Sequence, residues 1–238
     1  MTEALVAALE AQSSDEILDL AGGTGDLAEA LSGRVARVLS TDFSPAMVEA
    51  ARRRSIPGAE HRVMDLQSLE LPDDAFDGVV CRFGFMLVPD RERGFAETRR
   101  VLKPGGRLAF ATWAPAKRNP WATAYGPVLI ERGLLEPPQP GQPGQFALSD
   151  PDEIELLVRG AGFDRVETHE VPIEYRFESW EAYSRLVTNL AASLRATLQP
   201  LDAGTRASID TAARARLEPF RADEGYVVPG LALVTSAA

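Results

Sequence analysis

Residues Ile17 to Asp26 read ILDLAGGTGD, an apolar run that carries one acid and then breaks into a glycine cluster near the start of the sequence. Ile17, Leu18 and Leu20 suit a strand buried on both faces, as parallel strands are. Gly22, Gly23 and Gly25 allow a turn where backbone can approach a bound molecule without Cβ obstruction. Leu27, Leu31 and the alanines between them suit a helix that begins at this turn. A strand, glycine turn and helix at the head of a βαβ unit form the cofactor site of doubly wound folds. The plainer reading of the same residues is a glycine-rich strand-to-helix connection with no ligand.

The spacing differs from the G-x-G-x-x-G of dinucleotide sites, which disfavours a nicotinamide oxidoreductase. Aligned on Asp19, the pattern D-x-A-x-G-x-G sets Ala21, Gly23 and Gly25 at alternate positions. It resembles the acid-x-G-x-G-x-G turn of class I S-adenosylmethionine (SAM) methyltransferases. Ala21 replaces the first glycine of that pattern, a change that a φ below zero would tolerate.

Val35 to Asp42 reads as a second strand ending in an acid, about 20 residues beyond the turn, the spacing at which a carboxylate reaches ribose hydroxyls. Asp42 is the expected ribose ligand; the alternative is an acid placed ahead of a helix capped by Ser44 with Pro45 at its first position. Met47, Val48 and Ala51 continue that helix, and Arg52 to Arg54 form its solvated end. A third strand, His61 to Met64, ends at Asp65 and Leu66, where the acid can accept the adenine amino group and Leu66 can offer its backbone N–H. Leu71 to Cys81 supplies a turn and a fourth strand, and a helix after Asp90 stops at Pro104-Gly105-Gly106 before a fifth strand, Arg107 to Trp113.

From Ile17 to Trp113 the sequence resembles the ubiquinone/menaquinone biosynthesis C-methyltransferases and the small-molecule methyltransferases around them. The matching strings are ILDLAGGTGDLAEAL, TDFSPAMVEAAR, LELPDDAFDGVVCRFGFMLVPDRE and RRVLKPGGRLAF. The resemblance implies an α/β, Rossmann-like doubly wound sheet of seven strands in the order 3-2-1-4-5-7-6, the seventh antiparallel, with helical cap insertions. It implies SAM as cofactor and S-adenosylhomocysteine as product. Asp19 to Gly25, with Ala21, Gly22 and Gly23, would hold the methionine part, Asp19 acting on its ammonium. Asp42 would take the ribose, Phe43 and Met47 would lie beside the adenosine, and Asp65 and Leu66 would take the adenine edge. Cys81 and Arg82 would lie beside the aminoacyl end and the methyl group.

Beyond Trp113 the resemblance fades. Pro115 to Pro151, which contains EPPQPGQPGQF, is expected to form a short helix and an ordered loop over the site, or a tethered surface excursion. A helix over Asp152 to Gly160, a sixth strand around Arg165 to Ile173 and an antiparallel seventh over Tyr226 to Thr235 follow. The helical stretch between those strands is expected to fold as two helices that cap the substrate side or form a dimer interface. The whole is thus read as one domain over 1–238, with a cofactor-binding core over 1–113 and cap elements over 114–150 and 178–224.

A chain of 238 residues with 45% hydrophobic content can bury a full core in one domain. No apolar run is long enough to span a bilayer, and the start of the sequence has no signal-peptide pattern, so a cytoplasmic or peripherally associated protein is expected. A single cysteine, Cys81, excludes an internal disulfide. The net charge of −10 argues against a nucleic-acid partner, because phosphate binding depends on Lys and Arg clusters. Two histidines and one cysteine offer no zinc-spaced ligand set, and no catalytic metal is expected.

Methyl transfer from a sulfonium is an in-line displacement in which orientation supplies most of the acceleration, and a base is needed only if the acceptor must lose a proton early. No residue is assigned as that base; His61 and His169 read as structural. Phe85, Trp113, Trp121 and Tyr125 are the expected aromatic walls for a small, largely apolar acceptor methylated on oxygen or carbon. A quinone-type C-methylation and a non-catalytic SAM-fold binding module are the alternatives, and the protein is read as a monomer or homodimer. Met1 to Glu10 offers one helix through Leu5, Val6 and Leu9, shorter than the segment that folds over SAM in related enzymes.

Overall fold

The computed structural model describes residues 1–139 and 141–238, with Ala192 described in its backbone alone; Pro140, inside the proline-rich stretch, lies outside the described residues. Helix α1 (Thr2–Leu9) leads into β1 (Glu16–Leu20), α2 (Asp26–Leu31), β2 (Arg37–Asp42), α3 (Pro45–Arg53), β3 (Ala59–Val63), β4 (Phe76–Arg82), α4 (Arg91–Val101) and β5 (Leu102–Trp113). Then come α5 (Pro120–Thr123), α6 (Tyr125–Glu131), α7 (Pro151–Gly160), β6 (Val166–Phe177), α8 (Trp180–Leu190), α9 (Ala192–Leu198), α10 (Ala203–Leu217), β7 (Arg221–Ala222) and β8 (Gly225–Ala237).

The strands lie in the order β3-β2-β1-β4-β5-β8-β6, with the two-residue β7 paired to β8 alone. The long last strand, β8, therefore occupies the place expected for an antiparallel seventh strand, and it runs antiparallel to β5. The chain divides into two units: Met1–Ala114 with Gly141–Val171 and Ala232–Ala238, and Pro115–Pro140 with Pro172–Leu231.

In the first unit the central strands are apolar because both faces are covered: Ile17, Leu18, Leu20, Val79, Val80 and Cys81 have no exposed surface. The parallel register sets Asp19 opposite Ser40 of β2 and Val80 of β4, and Leu20 opposite Thr41 and Cys81. The carboxyl ends of β1, β2 and β4 are thereby brought level, which is where ligands bind in open parallel sheets. Helix α1 belongs to this core: Leu5 and Leu9 are fully buried in one apolar cluster with Ile17, Leu27, Leu31 and Val80. The segment read as a short lid is thus a packed layer of the sheet.

Strand β5 starts earlier than expected. Leu102 pairs with Phe76, and the ladder resumes at Arg107 opposite Gly78, so the residues between form a bulge. Gly105 takes φ 76° there, which the Pro-Gly-Gly chemistry permits.

In the second unit the stretch expected to form two helices folds as three among the described residues, α8, α9 and α10. The chain leaves helical geometry at Ala191, resumes as α9, and breaks again around Pro200, after which Asp202 caps α10 through the N–H groups of Gly204 and Thr205. Tyr125 ties three of this unit's helices together: its hydroxyl lies 2.7 Å from Ser184 Oγ on α8 and donates to Asp210 Oδ1 on α10 at 2.8 Å. Asn119 is fully buried and clamps β8, donating to the Leu231 carbonyl and accepting from its N–H.

Leu9→Ala removes a fully buried side chain and leaves a cavity, so it is expected to lower stability by about 2–5 kcal/mol in urea unfolding. A loss below about 0.5 kcal/mol would mean that α1 is not part of the core.

Candidate active site

The site is built on the ends of β1, β2 and β3. Asp19 sits at the fourth position of β1 with no exposed surface. Its Oδ2 accepts a hydrogen bond from Ser40 Oγ at 2.8 Å, whereas Oδ1 is buried with no hydrogen-bond partner. Burial pushes this carboxyl up to about 7, and the Ser40 hydroxyl and the charge of Arg82 only partly oppose that. A Cβ on Gly22 would lie 2.1 Å from Ser40 Oγ and 2.5 Å from Asp19 Oδ2, so glycine is required where the turn passes over this pair.

Ala21, Gly23 and Gly25 adopt φ of 53°, 57° and 90°. The condition of a negative φ at Ala21 is therefore not met: it is left-handed, a conformation that costs an L-residue about 1–2 kcal/mol. Its methyl faces Gly84, where an added Cβ would come within 2.6 Å of both Ala21 Cβ and Cys81 Sγ.

Asp42 is half-buried at the end of β2, ahead of the helix capped by Ser44. Its Oδ2 accepts the Gly23 N–H at 2.9 Å, and its Oδ1 accepts the Ser44 N–H at 2.8 Å at the entry to α3. Ser44 caps that helix by accepting the Met47 N–H, with Pro45 in the first turn. Asp65 accepts from its near neighbour Gln67, through the backbone N–H at 2.9 Å and the side-chain amide at 3.1 and 3.2 Å.

A cavity of about 520 Å³ opens beside these groups. It brings together Ala21, Asp42, Phe43, Asp65 and Leu66 of the expected set. Gln67, Gly84 and Leu87 to Pro89 also line it and were not anticipated. Phe43 and Leu87 are 74% and 56% exposed, two large apolar side chains presented at its rim. The size is that of a small-molecule site.

The remaining expected residues are placed elsewhere. Met47 is exposed on α3 and does not line the cavity. Cys81 is fully buried, and burial pushes its thiol up to about 12, so it packs as a small hydrophobe. Arg82 is held by Asp26 Oδ2 and Thr2 Oγ1, both at 2.8 Å, and shares Asp26 with Arg54. These two arginines hold the Asp26 carboxyl below its ordinary range.

Phe85 is fully buried between Phe95 and Phe110, with ring centroids 4.2 and 5.2 Å away, and does not reach the cavity. Trp113 stacks on Phe83 at 4.3 Å. In the other unit, Trp121 stacks on Tyr175 and Tyr125 forms the hydroxyl network described above. His61 is buried and shifted down, first by desolvation and then by Arg52 and Arg54, while His169 is exposed. Among the described residues no group of three His, Cys, Asp or Glu side chains is arranged to hold a metal ion, and no helix is long and apolar enough to cross a membrane.

Comparison with known proteins agrees with this architecture. A family model described as a methyltransferase domain matches residues 18–110. The demethylmenaquinone methyltransferase of Thermus thermophilus is 42% identical over 166 residues, covering 62% of this chain and 73% of that enzyme. A ubiquinone/menaquinone biosynthesis C-methyltransferase of Acidiphilium cryptum is 34% identical, covering 68% and 71%. Among solved structures, phosphoethanolamine N-methyltransferase 2 of Haemonchus contortus in complex with SAM has a TM-score of 0.62 at 16% identity, over 99% of this chain and 51% of that one. The [4+2]-cyclase SpnF has the same TM-score at 18% identity, over 99% and 79%.

The fold and the glycine turn beside Asp19 and Asp42 define a class I SAM-dependent methyltransferase. The chain belongs to the family that includes the demethylmenaquinone and ubiquinone/menaquinone C-methyltransferases.

Because the folded Asp19 holds its proton up to about pH 7 while the unfolded chain releases it near pH 4, Asp19 lowers stability progressively as pH rises through that window. Asp19→Asn lacks this term. The variant is therefore expected to gain on the native protein by up to about 4 kcal/mol between pH 4 and 7. Urea unfolding of both proteins across the window reads the difference; parallel curves would mean that Asp19 is ionised throughout.

Proposed function

We propose that SAM lies across the ends of β1, β2 and β3 and that the enzyme methylates an oxygen or carbon of a small, largely apolar acceptor. The observation that carries the cofactor assignment is the unpartnered, fully buried Oδ1 of Asp19 beneath the glycine turn. Buried carboxylate oxygens ordinarily have a donor, and the ammonium of the methionine part supplies one of the right charge.

Asp42 suits the ribose. Each of its oxygens holds one backbone N–H and keeps acceptor capacity for a vicinal diol. Phe43 and Leu87 offer apolar faces to a flat heterocycle, and Asp65 and the Leu66 backbone take its polar edge. Ala21, Gly22, Gly23 and Gly25 form the turn that passes the methionine part, Cys81 contributes packing at the aminoacyl end, and Met47, on α3, keeps its proposed place on the adenosine side. Arg82 acts at one remove, by fixing Asp26 at the start of α2.

When bound, SAM would supply an electrophilic methyl group: the acceptor oxygen or carbon bonds to it in line as the carbon–sulfur bond breaks, S-adenosylhomocysteine leaves, and the acceptor's proton passes to solvent. The residues of this chain bind and orient. Neither the neutral, buried His61 nor the buried thiol of Cys81 is a candidate for moving a proton, so alignment of the reactants carries the catalysis. Trp113 in the first unit is proposed as an aromatic wall for the acceptor; Trp121 and Tyr125 are proposed, each by itself, as acceptor-side aromatics of the second unit. Phe85 does not, because Phe95 and Phe110 pack against its ring.

A second reading, methylation of a ring carbon of a quinone-type acceptor, is favoured by the names of the relatives. A cyclase of the same fold keeps a third open, a SAM-fold protein with another role. The acidic charge and the lone buried cysteine support a cytoplasmic monomer or homodimer with no nucleic-acid partner.

Calorimetric titration with SAM and S-adenosylhomocysteine is expected to give micromolar affinity, weakened roughly ten- to hundredfold in Asp42→Ala by loss of charge-assisted hydrogen bonds. Equal affinity in the variant would remove Asp42 from the site. S-adenosylhomocysteine release, scored against phenols and against reduced naphthoquinones, separates the first reading from the second.

A further inference from the structure

Gln67 is the one side chain lining the cavity whose polar atoms bridge two of its walls. Its side-chain Nε2 donates to both carboxylate oxygens of Asp65, at 3.1 and 3.2 Å, and its Oε1 accepts the backbone N–H of Asp90 at 2.9 Å. Asp90 in turn caps α4 by accepting the Arg93 N–H at 2.9 Å. The end of β3 is thereby joined to the segment Leu87 to Pro89, which forms the facing wall. The intervening residue, Leu66, is buried and packs toward Gly94, where an added Cβ would come within 2.8 Å of its side chain.

We propose that Gln67 is a positioning residue for the adenosine half of the cofactor: it fixes the Asp65 carboxylate and holds the Leu87–Pro89 wall at the distance set by one amide. This rests on the placement of adenosine at Asp65 proposed above. Both ends of the amide are used with defined polarity, a donor toward Asp65 and an acceptor toward Asp90. Glutamate at this position keeps the length and the acceptor but replaces the donor with a second carboxylate facing Asp65. Leucine keeps bulk and loses both bonds.

The probe is 5′-methylthioadenosine, which carries the adenosine half without an ammonium and so is insensitive to Asp19. Native protein, Gln67→Leu and Gln67→Glu are titrated with it and with S-adenosylhomocysteine. Gln67→Leu is expected to weaken both ligands by about the same factor, roughly tenfold. Gln67→Glu, which sets a second carboxylate against Asp65, is expected to weaken 5′-methylthioadenosine further than Gln67→Leu does, an order that lost bulk or a general structural defect would not produce.

Unchanged affinity in both variants overturns the inference while leaving the SAM site intact. So does a loss confined to S-adenosylhomocysteine, or Gln67→Glu binding 5′-methylthioadenosine as well as Gln67→Leu or better. Failure of the native protein to bind either ligand overturns the underlying site assignment, and this inference with it.

Discussion

The arrangement depends on one buried carboxylate. Asp19 lies inside a parallel sheet, where an ionised group is costly unless it is paired, and the protein gives it one hydroxyl, Ser40, in place of a counter-ion. That choice constrains its neighbours. The register between β1 and β2 must set residue 19 opposite residue 40, and the next turn must cross above the pair with no side chain at Gly22. The turn is then pinned from outside by a second carboxylate, because Asp42 accepts the Gly23 N–H. Two acids on adjacent strands thus shape one loop, the first from beneath and the second from the rim.

The second unit is organised by a different means. Its specificity comes from polar groups buried with defined partners: Tyr125 with Ser184 and Asp210, and Asn119 with Leu231. Burial pushes the Tyr125 phenol far above its ordinary range, so it remains a neutral donor to Asp210. Such networks favour a single arrangement because a partly satisfied alternative leaves a buried polar group unpaired.

The legible part of the fold was the part governed by short-range pattern. ILDLAGGTGD and the acids ending the next two strands follow from strand burial and turn chemistry, and the order of the sheet follows from the family resemblance. Less legible was what depends on partners distant in sequence. Arg82 reads as a residue beside the cofactor until α1 and α2 are seen to hold it through Thr2 and Asp26. Phe85 reads as a pocket aromatic until Phe95 and Phe110 close around it. Gln67 escaped notice because an amide following an acid carries no motif; only the approach of Asp90 gives it two roles. Of the two breaks in the last helical stretch, the second was marked in the sequence by Pro200 and Asp202, a stop and a cap that a stripe of leucines obscured, and the first, at Ala191, carries no such signal.

The contact between Ala21 and Gly84 bears on how such a site can change over evolutionary time. The methyl group at position 21 fits because position 84 has none, and position 84 also lies against Cys81. A side chain at position 84 is thus blocked twice, and glycine at position 21 alone would not admit one. A lineage that gains a side chain at position 84 must give up the methyl group at 21 and also make room at 81, whereas position 21 can pass between alanine and glycine without waiting on any other change.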